Sequence, residues 1–216
     1  MKLAIFGASG RTGVPLVQQA LEQGHTVKAL VRSPDKLKDA VGDPLGLPDG
    51  LEVIQGDAMN TADIAKTIDG CDVVLSTLGH GKNSPKDMQT VATKHMVGAM
   101  KERNIARIIS LTGAAVSVPD DQPKVADRIF GFLMGLFAKD VLEDAKNHAE
   151  VLRKSDREYI IVRGPRLTEG DPKGTYYVGL VGKESGTQIA RADVAHFMLT
   201  QLEDDTWLRQ APMVSY

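Results

Sequence analysis

The sequence predicts an α/β protein with a doubly wound parallel sheet. A glycine-rich turn directly follows the first apolar segment, and short apolar segments then alternate with segments of helical periodicity along most of the chain. Strands that alternate with helices run parallel and are joined by right-handed crossovers. We therefore expect a single domain over residues 1–216, with the substrate-side elements mainly after residue 112, as a small C-terminal cap on the same sheet.

The first predicted element is a strand that runs into a glycine-rich turn within residues 2–13. Residues 3–6 are all apolar, as a buried parallel strand requires. Gly7, Gly10 and Gly13 follow at the spacing of a dinucleotide-binding loop. Gly7 permits the sharp turn, Gly10 lets backbone amides approach a pyrophosphate, and Gly13 lets the next helix pack on the sheet. Because that helix begins with partial positive charge, the order of strand, loop and helix indicates the nucleotide-binding part of a Rossmann fold.

Apolar periodicity, capping residues and turn residues predict the remaining elements. The first helix ends at Gly24, Ser33 and Pro34 mark the start of the second, and the glycine-rich residues 170–186 suggest a hairpin or an extended excursion. The later strands are predicted over residues 26–31, 51–55, 72–76, 107–111 and 159–163. The later helices are predicted over residues 34–38, 61–68, 84–103, 125–137, 141–154 and 192–202.

Composition limits the class of partner and the compartment. A net charge of -2 shows no basic excess, which argues against nucleic acid or an anionic membrane as partner. The single Cys71 cannot form an internal disulfide, and the first residues lack the pattern of a signal peptide. No apolar run approaches the roughly 20 residues that span a bilayer. We expect a cytoplasmic protein, monomeric or homodimeric, that acts on a small molecule.

The end of the second strand indicates which dinucleotide binds. About 20 positions past the glycine loop, an NAD site carries an acidic residue that holds the ribose 2'-hydroxyl. This chain has Arg32 there, and a guanidinium can clamp a 2'-phosphate with two hydrogen bonds. The sequence therefore favours NADP(H), with Arg11 as a possible second cation. The alternative is that Arg32 is a solvated cation at the end of a strand.

Two further loops lie at the carboxyl edge of the predicted sheet, where ligands bind in open parallel sheets. Asp57, followed by Ala58, comes after the third strand, and its carboxylate can accept the adenine amino group or cap the following turn. The run after the fourth strand, which we expect along the ribose and nicotinamide, is Thr77, Leu78 and Gly79. The next residue, His80, is predicted to be a surface loop residue rather than a catalyst, with a contact to the cofactor as the alternative.

Motifs along the chain resemble those of an atypical short-chain dehydrogenase/reductase. They lie in residues 7–13, 29–32, 56–57 and 162–168, and the similarity continues in residues 104–109 and 189–198. The nearest group is the one that contains flavin reductase, also called biliverdin-IXbeta reductase, with NmrA-like proteins more distant. The resemblance implies reduction of a flavin or a related planar conjugated acceptor by NADPH, with FMN or FAD as substrate rather than bound prosthetic group.

The resemblance also implies roles for single residues. By motif match Ser9, Arg11, Thr12 and Arg32 hold phosphates, and Asp57 lies near the adenine. We single out no metal-ligating residues. The full set of predicted cofactor-binding residues is Gly7, Ser9, Gly10, Arg11, Thr12, Gly13, Arg32, Asp57, Ala58, Thr77, Leu78, Gly79, Thr112 and Pro165.

The sequence lacks the acid of the classical short-chain enzymes. In these enzymes a lysine four residues after a tyrosine lowers the tyrosine pKa, but none of the tyrosines here has such a lysine. Reduction of an isolated ketone is therefore disfavoured, whereas a conjugated ring delocalises the charge of an added hydride. The candidate proton donors are Thr112, Ser110, His148 and Lys146. Because His148 and Lys146 flank the apolar stripe of their helix on opposite sides, both cannot face one pocket, and a surface position is the favoured alternative for His148.

Other features leave alternatives open. The apolar residues 129–137 suggest core or an interface, or a lid over an aromatic substrate. Arg166 can meet a substrate carboxylate or phosphate, or form an ordinary ion pair. A nucleotide-sensing regulator that binds NADP without turnover is the main rival function, and an epimerase or dehydratase with bound cofactor is a weaker one.

Overall fold

The structure is a computed structural model that describes residues 1–42, 46–81, 83–124, 138–182 and 184–216. The helix predicted over residues 125–137, with the apolar run 129–137, lies outside the described residues. In the described ranges, every helix is too short or too polar to cross a membrane.

The described strands and helices follow the predicted alternation. The strands are β1 (Lys2–Phe6), β2 (Thr26–Val31), β3 (Leu51–Gln55), β4 (Val73–Ser76), β5 (Arg107–Gly113), β6 (Glu158–Gly164), β7 (Arg166–Thr168), β8 (Tyr177–Gly179), β9 (Gln188–Ala190) and β10 (Met213–Ser215). The helices are α1 (Gly13–Glu22), α2 (Pro34–Val41), α3 (Thr61–Ile68), α4 (Met88–Glu102), α5 (Lys139–Lys154) and α6 (Arg191–Thr200).

Within the described residues, eight strands form one sheet in the order β3-β2-β1-β4-β5-β6-β10-β8. All neighbours pair in parallel except β8, which runs antiparallel to β10. The chain builds outward from β1 to β3 and then returns to β4 on the other side of β1. This reversal confirms the predicted doubly wound sheet, and it opens a crevice at the carboxyl ends of β1 and β4 where such folds bind ligands.

Strand β1 shows why its sequence is apolar throughout. Leu3 and Ile5 pack on one side of the sheet with residues of α1 and α6, while Ala4 and Phe6 pack on the other side with residues of α3, α4 and α5. All four side chains are fully buried. Alternate residues of a strand point to opposite faces, so a strand covered by helices on both faces needs an unbroken apolar run.

The sequence did not predict the three-residue strands β7, β9 and β10, and it misplaced the start of helix α4. Strands β7, β9 and β10 were not predicted, because three residues are too few to show a periodicity. Residues 170–186 do not form a hairpin among the residues described: β8 extends to the sheet edge and pairs with β10 from the end of the chain. Helix α4 begins at Met88 rather than at residue 84, since the carboxylate of Asp144 on α5 accepts hydrogen bonds from the backbone N–H groups of Gln89 and Thr90.

A buried ion pair holds the segment after β5 against the sheet. Arg163 on β6 is fully buried, and its guanidinium donates to both carboxylate oxygens of Asp121, at 2.5 and 2.9 Å. The same guanidinium donates to the carbonyl oxygens of Val116 and Ala211, and Asp121 also accepts from the backbone N–H of Val181. Burial raises the pKa of Asp121, but the hydrogen bonds from Arg163 and from backbone amides outweigh it, and the net pKa is lowered. The pair therefore joins three segments that have little regular structure.

We expect Asp121→Asn to lower the free energy of unfolding by about 3–5 kcal/mol, because it leaves the Arg163 charge buried without a counter-charge. Urea denaturation measures this, with the exposed neighbour Asp120→Asn as control, expected within about 0.5 kcal/mol of the wild type. Since the pKa of Asp121 is lowered in the fold, its contribution is present above the ordinary value of about 3.9 and is lost as the pH falls through the folded value. Equal losses for the two variants would show that the pair does not hold the segment.

Candidate functional site

The turn after β1 is packed so closely that it needs its glycines. Gly7 has a φ of +80°, in the left-handed region that side chains rarely adopt. A Cβ on Gly13 would lie 2.1 Å from the carbonyl oxygen of Gly7, so helix α1 begins directly against the turn. The hydroxyl of Thr77, after β4, donates to that same carbonyl oxygen at 3.2 Å. The loop is therefore held between α1 and the end of β4, at the crevice of the sheet.

The first cavity along this crevice, the Arg32 cavity, has a volume of about 310 Å³. It is bordered by the glycine loop and by the ends of β2, β3 and β4. Arg32 and Lys36 both line it, and neither forms an ion pair with another described residue. Lys36 was not predicted, although its position one turn into α2 after Arg32 could have suggested it. The predicted cofactor-binding residues that line this cavity are Gly7, Ser9, Gly10, Arg32, Asp57, Ala58, Thr77, Leu78 and Gly79.

Asp57 caps a turn at the edge of the Arg32 cavity. Its Oδ1 accepts a hydrogen bond from the backbone N–H of Met59 at 2.9 Å, which is the turn-capping alternative. Its own backbone N–H donates to Asp63 at 2.9 Å. The side chain is exposed and lines the cavity. Its contact with the adenine amino group stays a prediction.

The second cavity, the Thr112 cavity, has a volume of about 380 Å³ and shares Gly10, Thr77, Leu78 and Gly79 with the first. The two cavities thus form one groove across the carboxyl ends of β1, β4, β5 and β6. The far wall of this groove is apolar, and its side chains belong to Leu111, Val116, Val141, Leu142, Ala145 and Leu167. The predicted residues found here besides the shared ones are Arg11, Thr12, Thr112 and Pro165.

Thr112 carries an unsatisfied polar atom in the Thr112 cavity. The residue is only 6% exposed, and its Oγ1 has no hydrogen-bond partner among the described residues. A buried hydroxyl without a partner costs about 1–3 kcal/mol, so a ligand that supplies a partner recovers that free energy. Gly79 and Gly113 line the same groove, and a Cβ added to either residue would have no other protein atom within 4 Å. These glycines leave room beside the hydroxyl, and the residues present fit a dinucleotide that extends along the groove.

The other predicted proton donors lie away from the groove. Ser110 and His148 come together, with Oγ of Ser110 2.8 Å from Nε2 of His148, but the two residues are 1% and 2% exposed and line neither cavity. Burial lowers the pKa of His148 to about 4, so the ring is neutral near pH 7. The prediction of a surface position for His148 is wrong, because the buried stripe of α5 is wider than its apolar residues indicate and includes Asp144 and His148. Lys146 is exposed and also lines neither cavity.

His80 is not the surface loop residue that the sequence predicted. Its side chain is 12% exposed, it lines the Thr112 cavity, and its Nε2 lies 2.8 Å from Oδ2 of Asp144. Asp144 was not singled out from the sequence, where a carboxylate in the middle of a charged helix has the pattern of a solvent-exposed residue. The contact depends on the packing of α5 against α4 and carries no local signal.

Arg11 and Arg166 also differ from expectation. Arg11 lines the Thr112 cavity and pairs with Glu169 at 3.2 Å, so it does not assist Arg32 at the other cavity. Glu169 in turn pairs with Arg191 at 2.8 Å, and Arg191 donates to the hydroxyl of Thr12 at 3.2 Å. Arg166 is exposed on β7 and lines neither cavity.

This chain is similar to a protein family, to individual proteins and to solved structures. A family model described as NAD(P)H-binding matches residues 7–205. Cinnamoyl-CoA reductase 1 of Petunia hybrida is 29% identical over 128 residues, which cover 56% of this chain and 38% of that protein. The uncharacterized protein YwnB of Bacillus subtilis (strain 168) is 25% identical over 215 residues, which cover 94% of this chain and 92% of that protein. The structure of ChuY, an anaerobillin reductase from Escherichia coli O157:H7, matches with a TM-score of 0.78 and 20% identity, covering 100% of this chain and 97% of that one.

The matches support different conclusions about length, fold and family. The chain spans about two fifths of the length of the cinnamoyl-CoA reductases that it matches, at 38% and 37%. The likeness to ChuY, at 20% identity, shows the Rossmann fold and confirms that prediction. The family model begins at Gly7, in the glycine loop, and extends through α6, so that it includes every strand of the crevice beyond β1. The chain belongs to this NAD(P)H-binding family, as its resemblance to the atypical short-chain dehydrogenase/reductases predicted.

Proposed function

We propose that the protein is an NADPH-dependent oxidoreductase that reduces a flavin or a related planar conjugated acceptor. The observation that carries the proposal is the continuity of the groove, with two cations at one end and an apolar wall at the other. Family membership supports the nicotinamide cofactor. We propose three further points: the preference for NADPH over NADH, the conjugated acceptor and the reduction itself.

The residues along the groove support one orientation of the proposed cofactor. The backbone of the glycine loop and the N-terminus of α1 suit a pyrophosphate, because both present N–H groups and partial positive charge. Arg32 and Lys36 suit a 2'-phosphate, since neither is neutralised by a described carboxylate. This orientation leaves the nicotinamide end of the cofactor toward Thr112.

The Thr112 cavity suits a conjugated acceptor. Bound NADPH supplies a hydride. The apolar side chains of Leu111, Val116 and Leu142 offer a planar molecule a dry surface, and the Thr112 hydroxyl offers it or the cofactor a hydrogen bond. None of the four tyrosines, all of which lie in the described ranges, lines this cavity, so its described wall lacks the acid of classical ketone reductases. An acceptor that delocalises the added charge has less need of that acid.

A turnover assay tests the proposal. The purified protein is mixed with NADPH and then with FMN, FAD or biliverdin, and the loss of nicotinamide absorbance is compared with the uncatalysed rate. We expect acceleration with at least one acceptor. Measurable NADPH binding without acceleration by any of them would overturn the reductase and favour the nucleotide-sensing regulator.

We expect Arg32→Ala and Lys36→Ala each to weaken NADPH binding by roughly 10- to 100-fold, because each removes a charge-assisted hydrogen bond to the 2'-phosphate. The affinity for NADH, which has no 2'-phosphate, should change much less. Titration calorimetry with both cofactors measures the difference. Lys38→Ala is the matched control, since Lys38 is an exposed lysine of the same helix that lines neither cavity. Equal losses of affinity for NADPH and NADH would show that Arg32 and Lys36 do not bind the 2'-phosphate.

We expect Thr112→Val to separate stability from function. Valine has nearly the shape of threonine and lacks the hydroxyl that has no partner in the described structure, so the free energy of unfolding should stay equal or rise by about 1 kcal/mol. Turnover with NADPH should fall by roughly 10-fold, because one hydrogen bond to a ligand is lost. Urea denaturation and steady-state kinetics measure the two effects. A large loss of stability would show that the hydroxyl serves the fold.

A further inference from the structure

We propose that His80 is the proton donor of the reaction and that Asp144 is the residue that positions it. The inference rests on the proposed function, because it supplies the proton that a hydride-accepting molecule takes up. The hydrogen bonds of the buried Asp144 carboxylate orient the His80 ring.

Every polar contact of the Asp144 carboxylate comes from a donor or from His80. Asp144 is 2% exposed. Its Oδ1 accepts from the backbone N–H of Thr90 at 2.9 Å and from the hydroxyl of Thr90 at 2.5 Å. Its Oδ2 accepts from the backbone N–H of Gln89 at 2.8 Å and lies 2.8 Å from Nε2 of His80. The carboxylate is thus surrounded by donors, and a carboxylate only accepts hydrogen bonds.

The carboxylate therefore fixes the state of the His80 ring. A neutral imidazole has one N–H donor and one acceptor nitrogen, and the nitrogen that faces a carboxylate carries the hydrogen. Nε2 is thus the N–H that donates to Asp144, and Nδ1 is left with no partner among the described residues. His80 lines the Thr112 cavity and Nδ1 is the ring nitrogen that Asp144 does not occupy, so we assign to Nδ1 the contact with a molecule bound there. When the ring is protonated, Nδ1 carries a proton that it can give away.

No other described side chain at the Thr112 cavity suits this role. The remaining ionisable residues there are Arg11 and Arg191, and a guanidinium stays protonated. Ser110 and His148 bond to each other behind the wall of the cavity. The Thr112 hydroxyl has no described base beside it. His80 is the titratable group that combines access to the cavity with a fixed orientation.

The proposed step is balanced by one hydride and one proton. The acceptor gains a hydride from the reduced cofactor and a proton from Nδ1 of His80. The N–H bond of the ring breaks as a new N–H or O–H bond of the acceptor forms, and water then returns a proton to the ring. The charged groups near the dyad in the described residues lie on α5 and on the segment before α4, and they are Asp144, Asp140, Glu143, Lys86 and Asp87.

His80→Gln tests the donor. The glutamine amide can keep an N–H toward Asp144 but cannot release a proton, so NADPH binding should change little. Turnover at pH 7 should fall by roughly 100-fold, and the decline of the wild-type rate towards high pH should be absent from the variant. His196→Gln is the matched control, because His196 is an exposed histidine that bonds to Tyr176 and lies outside the Thr112 cavity.

A spectroscopic measurement tests the dyad without turnover. In 15N NMR spectra of the wild-type protein, the ring signals absent from His80→Gln are those of His80. We expect the neutral ring to carry its hydrogen on Nε2, and Asp144→Asn to increase the fraction with the hydrogen on Nδ1. A hydrogen on Nδ1 in the wild type would overturn the inference.

The kinetic outcomes separate the two proposals. If the wild type turns over and His80→Gln has the same rate and pH profile, the donor role is overturned and the reductase stands. If the wild type fails with every acceptor, the reductase and the donor role are overturned together. A fall in rate with loss of the pH dependence supports both.

Discussion

The close contact between the glycine loop and the start of α1 is the constraint on which the rest of the site depends. A Cβ on Gly13 would lie 2.1 Å from the carbonyl oxygen of Gly7, so the helix can begin at this place only without a side chain there. That carbonyl oxygen also accepts from Thr77, which ties the loop to the end of β4. The strand order of the sheet reverses between β1 and β4. The contact between the loop and α1 therefore sets the position of the groove, which lies at the carboxyl ends of these strands.

Buried carboxylates hold together segments of the chain in which regular structure is sparse. Asp121 holds the segment after β5 through Arg163, and Asp144 holds the start of α4 together with His80. Asp193 at the start of α6 accepts from the backbone N–H groups of Lys173 and Gly174 and from the hydroxyl of Tyr216. A buried carboxylate is tolerated only when its oxygens are satisfied. Each of these residues therefore fixes two or more distant segments at once.

Sequence reasoning was accurate where the signal is local. The apolar run of β1, the three glycines and the Arg32 position each follow from a rule about a few neighbouring residues. In the structure β1 is buried in the core, Gly7, Gly10 and Arg32 line the groove, and Gly13 lines neither cavity but packs against Gly7. The errors concern contacts between residues distant in sequence. His80 and Asp144 are 64 positions apart, so only the packing of α5 on α4 brings them together. Lys36 is the intermediate case, because it was not predicted although its local spacing from Arg32 could have suggested a second cation at the same cavity.

The two histidines of the site region show why residue type alone does not assign a proton donor. His148 is one of the candidate donors that the sequence offers, yet burial lowers its pKa to about 4, so the ring is neutral near pH 7, and its Nε2 is taken by Ser110. His80 lies in a loop with no distinctive motif, and it combines a satisfied nitrogen with one that is left for the cavity. An enzyme that lacks the classical tyrosine needs a group that can both reach its acceptor and exchange protons with water. Under the proposal that His80 is the proton donor, the loop after β4 supplies that group, and the buried carboxylate of Asp144 orients its histidine.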